Sequence, residues 1–248
     1  MFNYNQKNNV QNSLCALGLT ALGLFIVPES AQAFTLVNKA DFTDTDFNQQ
    51  IADGKFSELF VAEGRIGDRG GAATYELSIN DDVVKGAKPV TETQFDWQNG
   101  QEYDFSLEYD GSMVNYILGD KTLSTSNFSG PINSIFFRTS AGKNTVTSLT
   151  NLMFNGNAIG SLSSSLNDKR DIDYLQLKDI SSSFTITGKA SMSWQGTAPK
   201  NSLNAFQIKV GNYPKAKVPE PGTIGAIFVT GMVGLGLSKN KKKMKIKA

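Results

Sequence analysis

Three carboxylates lie at even-numbered positions of one short stretch of the chain: Glu102, Asp104 and Glu108. Successive side chains of a β-strand point to opposite faces of the sheet, so a strand over these residues would present all three on one side. Retaining glycosidases use two carboxyl groups that flank the scissile bond of a sugar. The stretch therefore raises the hypothesis of a secreted glycosidase that uses Glu102 and Glu108.

The spacing of these carboxylates favours a solvated strand face over a catalytic pair. Position 106 is serine, so the stretch departs from the E-x-D-x-E and E-x-D-x-x-E patterns of laminarinase-type glycosidases. A strand with one face in water carries polar residues at alternate positions without any catalytic role. We therefore predict a protein that is not an enzyme and keep glycosidase activity as the weakest alternative.

The residue types that most often carry metal sites and nucleophilic catalysis are rare in this chain. It has no histidine, and its one cysteine, Cys15, lies inside the first apolar run. Zinc, haem and copper sites, and Ser-His-Asp or Cys-His catalysis, need these side chains in their usual forms. The composition disfavours all of these classes, and we predict no cofactor.

An oxygen-rich loop is the one candidate for a metal ion, Ca²⁺. Asn167, Asp168, Asp171 and Asp173 supply amide and carboxylate oxygens over a short stretch. Ca²⁺ takes six to eight oxygen ligands, and the spacing here is not that of an EF-hand. We expect a solvated turn and keep a calcium site at Asp168, Asp171 and Asp173 as the alternative.

Aromatic side chains offer a second kind of ligand site, because a ring can stack on a sugar. The candidates are Trp97, Trp194 and tyrosines such as Tyr75, Tyr109 and Tyr116. Aromatic residues bury large areas in protein cores, so we expect most of these rings to be structural. Trp97 precedes a polar Gln-Asn-Gly run and is predicted to be the most exposed ring, which makes it the candidate ligand-binding residue.

The elements that must position these residues are predicted to be β-strands. In the best-marked hairpin, Glu102–Leu118, apolar and polar residues alternate around an Asp-Gly turn. Short strands separated by turn residues predict an all-β domain over residues 34–213, with a β-sandwich or jelly-roll fold. One helix is predicted over Thr45–Ala52. The other predicted strands are Phe56–Ile66, Ala73–Asn80, Ile132–Arg138, Val146–Phe154, Tyr174–Ile180, Phe184–Trp194 and Leu203–Val210.

Residues 1–33 have the pattern of a secretory signal peptide. Lys7 supplies a weakly positive start, Leu14–Val27 is an apolar run, and Ala31 and Ala33 form a small-x-small cleavage site before Phe34. An uncleaved membrane anchor is the alternative, but the run is shorter than the roughly 20 residues that span a bilayer. We therefore expect export through the Sec machinery and a mature chain that begins at Phe34.

Residues 214–248 have the pattern of a sorting segment. Pro219, Glu220 and Pro221 precede an uncharged stretch, 222–237, which is predicted to form a single transmembrane helix, and a basic tail, 238–248, follows. Lysines collect on the cytoplasmic side of a membrane, which would place the folded part on the other side. The basic membrane stop is assigned to Lys239, Lys241, Lys242 and Lys243.

Charge is segregated along the chain. The formal net charge is +1, but residues 34–218 contain 17 Lys and Arg against 21 Asp and Glu, a net charge of −4. A nucleic-acid-binding domain usually carries positive charge on its folded part. We therefore expect no nucleic-acid partner.

The C-terminal order of Pro-Glu-Pro, a short apolar helix and a basic cluster resembles the PEP-CTERM sorting signal, with lysines where arginines are commoner. The resemblance implies recognition by an exosortase-type processing enzyme in a Gram-negative bacterium that makes extracellular polysaccharide. The stretches SELFVAEGRIG, NGQEYDFSLEYDG, NFSGPINSIFFRT, DYLQL and FTITGKASMSWQGTAP resemble the choice-of-anchor W domain. That second resemblance implies a β-rich surface domain and carries no activity or catalytic residues.

The sequence thus predicts an exported, non-catalytic protein of the cell surface or extracellular matrix, held transiently at the inner membrane. Its expected role is adhesion or a structural association with polysaccharide. A carbohydrate-binding module that uses Trp97 is the first alternative, and a secreted glycosidase is the weaker one.

Overall fold

The computed structural model describes residues 34–66, 77–81, 89–166, 170–180, 183–200 and 203–214. Within these ranges the chain forms thirteen strands and one short helix, and this helix is too short to cross a membrane. The elements are β1 (Thr35–Asn38), α1 (Asp44–Ala52), β2 (Ser57–Ile66), β3 (Leu77–Asn80), β4 (Thr91–Thr93), β5 (Glu102–Tyr109), β6 (Val114–Leu118), β7 (Lys121–Thr125), β8 (Ser134–Ala141), β9 (Thr145–Phe154), β10 (Asn157–Leu166), β11 (Asp171–Lys178), β12 (Phe184–Trp194) and β13 (Asn204–Asn212).

The strands form two antiparallel sheets. Sheet A has seven strands in the order β1-β11-β8-β13-β2-β3-β4, and sheet B has six in the order β10-β9-β12-β5-β6-β7. The prediction of an all-β, sandwich-like fold is confirmed. Many strands that are neighbours in these sheets are far apart in sequence. The order of the strands therefore cannot be read from local sequence patterns.

Apolar residues from both sheets share one main core. The predicted hairpin is present as β5 and β6, and Phe105, Leu107 and Tyr109 of β5 are at most 3% exposed. The Tyr109 hydroxyl donates hydrogen bonds of 3.0 Å to the carbonyl oxygens of Gly111 and Gly130, which fixes the turn beside the core. Complete burial of one such side chain stabilises a fold by about 1.5–3 kcal/mol.

A second cluster lies under helix α1 on the outer side of sheet A. It consists of Phe47, Phe56, Phe136 and Tyr174, with Phe42, Ile172 and Tyr213 packed against it. The helix begins at Asp44, one residue before the predicted start, because Thr43 caps it with a capping box. Its Phe47 ring lies edge-on to Phe136 at 5.1 Å between ring centres, so this aromatic contact packs the helix against the sheet.

Several strands were not predicted. Strands β1, β4 and β7 are three to five residues long, and the serine-rich run at 161–165 lies within β10. In place of apolar alternation, β10 has hydroxyls with partners in both sheets. The Ser164 Oγ is 2.7 Å from the Thr139 Oγ1 of β8 in sheet A, and the Ser163 Oγ is 2.7 Å from the Ser148 Oγ of β9 in sheet B. Serine side chains can occupy a strand when their hydroxyls have hydrogen-bond partners. A prediction based on alternating apolar residues misses such a strand.

Candidate functional site

The three carboxylates singled out in the sequence lie along one strand on the exposed outer face of sheet B. Glu102, Asp104 and Glu108 are all exposed on β5. Glu108 is six positions after Glu102 on the strand, which corresponds to about 20 Å at ~3.3 Å per residue. Carboxyl groups that cleave one glycosidic bond are roughly 5–9.5 Å apart. The geometry therefore excludes Glu102 and Glu108 as a catalytic pair.

Cross-strand neighbours extend this polar surface from β5 to β10. Adjacent antiparallel strands place alternate side chains side by side on one face. The exposed face of sheet B therefore presents hydroxyl, carboxylate and ammonium groups in rows that run perpendicular to the strands. Three such rows are Ser163-Ser148-Ser191-Glu102, Thr150-Lys189-Asp104 and Thr187-Ser106, the last beside the apolar Met153.

A groove of about 380 Å³ lies within these rows, and we call it the Lys189 groove. The Lys189 Nζ is 2.9 Å from the Asp104 Oδ1, and this pair holds the ammonium at one wall. The hydrogen bond and charge of Asp104 raise the pKa of Lys189, so this side chain stays cationic. The groove is lined by Asp104, Phe105, Ser106, Ile117, Gly119, Asn151, Thr187, Gly188 and Lys189.

A second depression, of about 280 Å³, lies farther along β12, and we call it the Trp194 pocket. Trp194 is partly buried against the main core. Its backbone N–H donates to the Asn99 Oδ1, and the Asn99 Nδ2 donates to its carbonyl oxygen, each at 2.9 Å. These bonds fix the end of β12. The pocket is lined by Asn144, Thr145, Val146, Ser165, Ser193, Trp194 and Gln195.

The expectation that Trp97 is an exposed ring is wrong. Trp97 is 5% exposed, and its indole N–H donates to the Arg65 carbonyl oxygen at 3.1 Å. Its ring lies edge-on to Phe95 and Phe206, and the absence of a side chain at Gly64 leaves room for this packing. Trp97 is therefore a core residue, and the tryptophan at the surface depression is Trp194. Both are followed by polar turn residues, so the local sequence does not distinguish them.

The residues of the calcium hypothesis are only partly described. Asp168 lies outside the described ranges, as does Asn167. Asp171 accepts a 2.9 Å hydrogen bond from the Ser165 N–H, and Asp173 accepts one of 2.7 Å from the Ser164 hydroxyl. Partial burial raises the pKa of Asp173. Among the residues that the structure covers, no three acidic, histidine or cysteine side chains are grouped so as to hold a metal ion.

The residues assigned to export and sorting lie outside the described ranges, with one exception. Phe34, the predicted first residue of the mature chain, packs edge-on against Phe154 of β9 with ring centres 5.2 Å apart. The next residue begins β1. The assigned export and sorting residues that lie outside the described ranges are Ala31, Ala33, Pro219, Glu220, Pro221, Lys239, Lys241, Lys242 and Lys243.

No family model matches the chain, and no curated protein has a significantly similar sequence.

Proposed function

We propose that the protein is an exported, non-catalytic protein of the cell surface or matrix that associates with extracellular polysaccharide through the outer face of sheet B. The observation that carries this proposal is the presence of two depressions on one exposed sheet face, each with polar side chains in its lining. Their hydroxyl, amide, carboxylate and ammonium groups are the donors and acceptors that pair with sugar hydroxyls. The wide separation of Glu102 and Glu108 argues against hydrolysis by that pair.

Export and sorting form the other part of the proposal. The signal-peptide pattern before Phe34 and the Pro-Glu-Pro, apolar and basic order of the C-terminus support a route through the inner membrane to the surface, with cleavage by an exosortase-type enzyme. Phe34 packs on the fold and β1 follows it directly, as suits a mature chain that starts there.

An intact mass of the protein from extracellular and membrane fractions tests this route. We expect a species that begins at Phe34 and ends near Pro219–Pro221, because both flanking segments would be removed during export and sorting. A membrane-bound species that keeps the lysine tail as its only form would contradict the proposed sorting.

Lys189→Ala is expected to weaken polysaccharide binding about tenfold, since it removes a charged hydrogen-bond donor from the Lys189 groove. The measurement is a calorimetric titration of the exported protein with extracellular polysaccharide from the cells that make it. Lys121→Ala is the matched control, because Lys121 also pairs with an aspartate and is similarly exposed, 39% against 36% for Lys189.

Lys121 does not line either depression. We expect its replacement to leave the affinity within about twofold of the unaltered protein, as for a surface charge outside the interface. Equal losses in the two variants would place the binding surface elsewhere. An unaltered protein that does not bind the polysaccharide would refute the association itself.

A further inference from the structure

We infer that the Lys189 groove and the Trp194 pocket are two subsites of one track along β12, and that the track binds a linear glycan without acidic groups. The inference rests on the proposed association with polysaccharide and adds the length and charge class of the ligand. A single sugar or a short branch would occupy one depression, whereas a linear chain can occupy both.

Alternate residues of β12 connect the two depressions. Thr187 and Lys189 line the Lys189 groove, Ser193 lines the Trp194 pocket, and Ser191 lies between them in the strand. At ~3.3 Å per residue, Lys189 is about 13 Å from Ser193 along the strand, and Thr187 is about 20 Å from it. The full span is longer than a disaccharide, so only a longer chain can fill both subsites.

The surface between the subsites carries polar side chains, and the serines among them are small. The residues directly beside Ser191 on the neighbouring strands are Ser148 of β9 and Glu102 of β5. The Oγ atoms of Ser148 and Ser163 are 2.7 Å apart, so these hydroxyls lie side by side across β9 and β10. Short hydroxyl side chains leave room for a chain to pass and can donate to it or accept from it.

The charges along the track disfavour an acidic polymer. Glu102 and Asp104 are exposed on its β5 side, and the Lys189 ammonium is already paired with Asp104 at 2.9 Å. Residues 34–218 carry a net charge of −4. Carboxylates accept hydrogen bonds from sugar hydroxyls or from the ammonium of an amino sugar, but they repel an acidic sugar. The matching ligand is therefore an uncharged or amino-sugar chain.

Chain length provides the test. The exported protein is titrated with the same extracellular polysaccharide, partially hydrolysed and separated by size and by charge. Joining two weak subsites through one ligand raises affinity by roughly 10²-fold, so fragments longer than the track should bind about that much more tightly than disaccharides. The tight-binding fragments should be those without acidic groups.

A blocking variant tests the path itself. Ser191→Trp places a bulky ring between the subsites, and we expect it to reduce the affinity for long fragments to that for disaccharides while leaving disaccharide binding unchanged. Ser191→Gln is the smaller second variant in case the tryptophan disturbs the sheet. Ser124→Trp is the matched control, because Ser124 is an exposed serine on β7 of the same sheet, outside both depressions.

The outcomes separate the inference from the proposed function. If the intact polysaccharide does not bind, the proposed association fails and the track fails with it. If it binds, but disaccharides bind as tightly as long fragments or Ser191→Trp and Ser191→Gln leave long-fragment affinity unchanged, the association stands and the track is refuted. Preferential binding of the acidic fraction overturns the assigned ligand class.

Discussion

Asp44→Ala is expected to lower the free energy of unfolding by about 3 kcal/mol, because it leaves a buried guanidinium without its carboxylate. The Arg138 Nε and Nη2 atoms donate to the two Asp44 carboxylate oxygens at 2.6 and 2.8 Å, and the Tyr174 hydroxyl donates to Asp44 at 2.7 Å. Arg138 is 4% exposed, so the variant leaves its buried charge largely uncompensated. Chemical denaturation of the variant and the unaltered protein measures the difference.

Two controls identify the cause of this loss. Asp120→Ala removes an exposed carboxylate that pairs with neighbouring Lys121 and should cost less than about 0.5 kcal/mol. Asp44→Ala combined with Arg138→Met should recover part of the stability, since no buried charge remains unpaired. A cost below about 1 kcal/mol for Asp44→Ala alone would show that the pair does not hold helix α1 on the sheet.

The same contact sets a pH dependence of stability. Partial burial by itself raises the pKa of Asp44, but the hydrogen bond and charge of Arg138, with the Tyr174 hydroxyl and the Arg170 charge, outweigh it and lower the pKa from 3.8 to about 2. The ionised group therefore stabilises the fold above about pH 4, and this contribution is lost as the pH falls from 4 to 2. Asp44 is about one third exposed, so solvent screening reduces the loss to about 1 kcal/mol. Between pH 4 and pH 2, the free energy of unfolding of the unaltered protein should fall by about 1 kcal/mol more than that of the Asp44→Ala variant.

Gly211→Ala is expected to destabilise the fold by about 3 kcal/mol or to prevent folding, because the added methyl group has no space. Its Cβ would overlap the Ser57 carbonyl oxygen and lie 2.6 Å from the Phe56 ring. Gly211 sits at an irregularity in the pairing of β13 with β2, where it lies opposite Glu58. The clash is with backbone, so relief requires separating two central strands of sheet A. Thermal and chemical denaturation measure the effect.

Gly156→Ala is the matched control for this substitution. Gly156 has a φ of +78°, and a Cβ there would meet nothing within 4 Å. The change therefore adds only the strain of a left-handed backbone conformation, about 1–2 kcal/mol. Similar losses for the two glycines would mean that the strands separate easily at Gly211 and that the steric argument is wrong.

The local pattern of the sequence was sufficient where a strand alternates strictly. The hairpin of β5 and β6 was predicted with its turn, because apolar side chains at every second residue can be buried only by a strand with one face on a core. The helix under the second cluster was predicted to within one residue. These elements carry their signal within a few neighbouring residues, so no knowledge of the rest of the fold was needed.

The sequence did not reveal elements whose signal depends on partners elsewhere in the chain. The serines of β10 are stable in a strand because hydroxyls of β8 and β9 lie opposite them. Trp97 and Trp194 have similar polar neighbours in sequence, yet only Trp97 has a space beside Gly64 and Phe206 to fill. Burial of a ring is decided by residues distant in sequence.

By itself the sequence determined the all-β class and the exposed carboxylate face of β5. Only the tertiary structure decided which residues of other strands lie beside the carboxylates of β5 on the exposed surface. Lys189 and Asp104 are 85 residues apart in sequence and meet because β12 pairs with β5. The pairing of distant strands follows from burying both sheets against one core, and it places the Lys189 groove and the Trp194 pocket on a single strand.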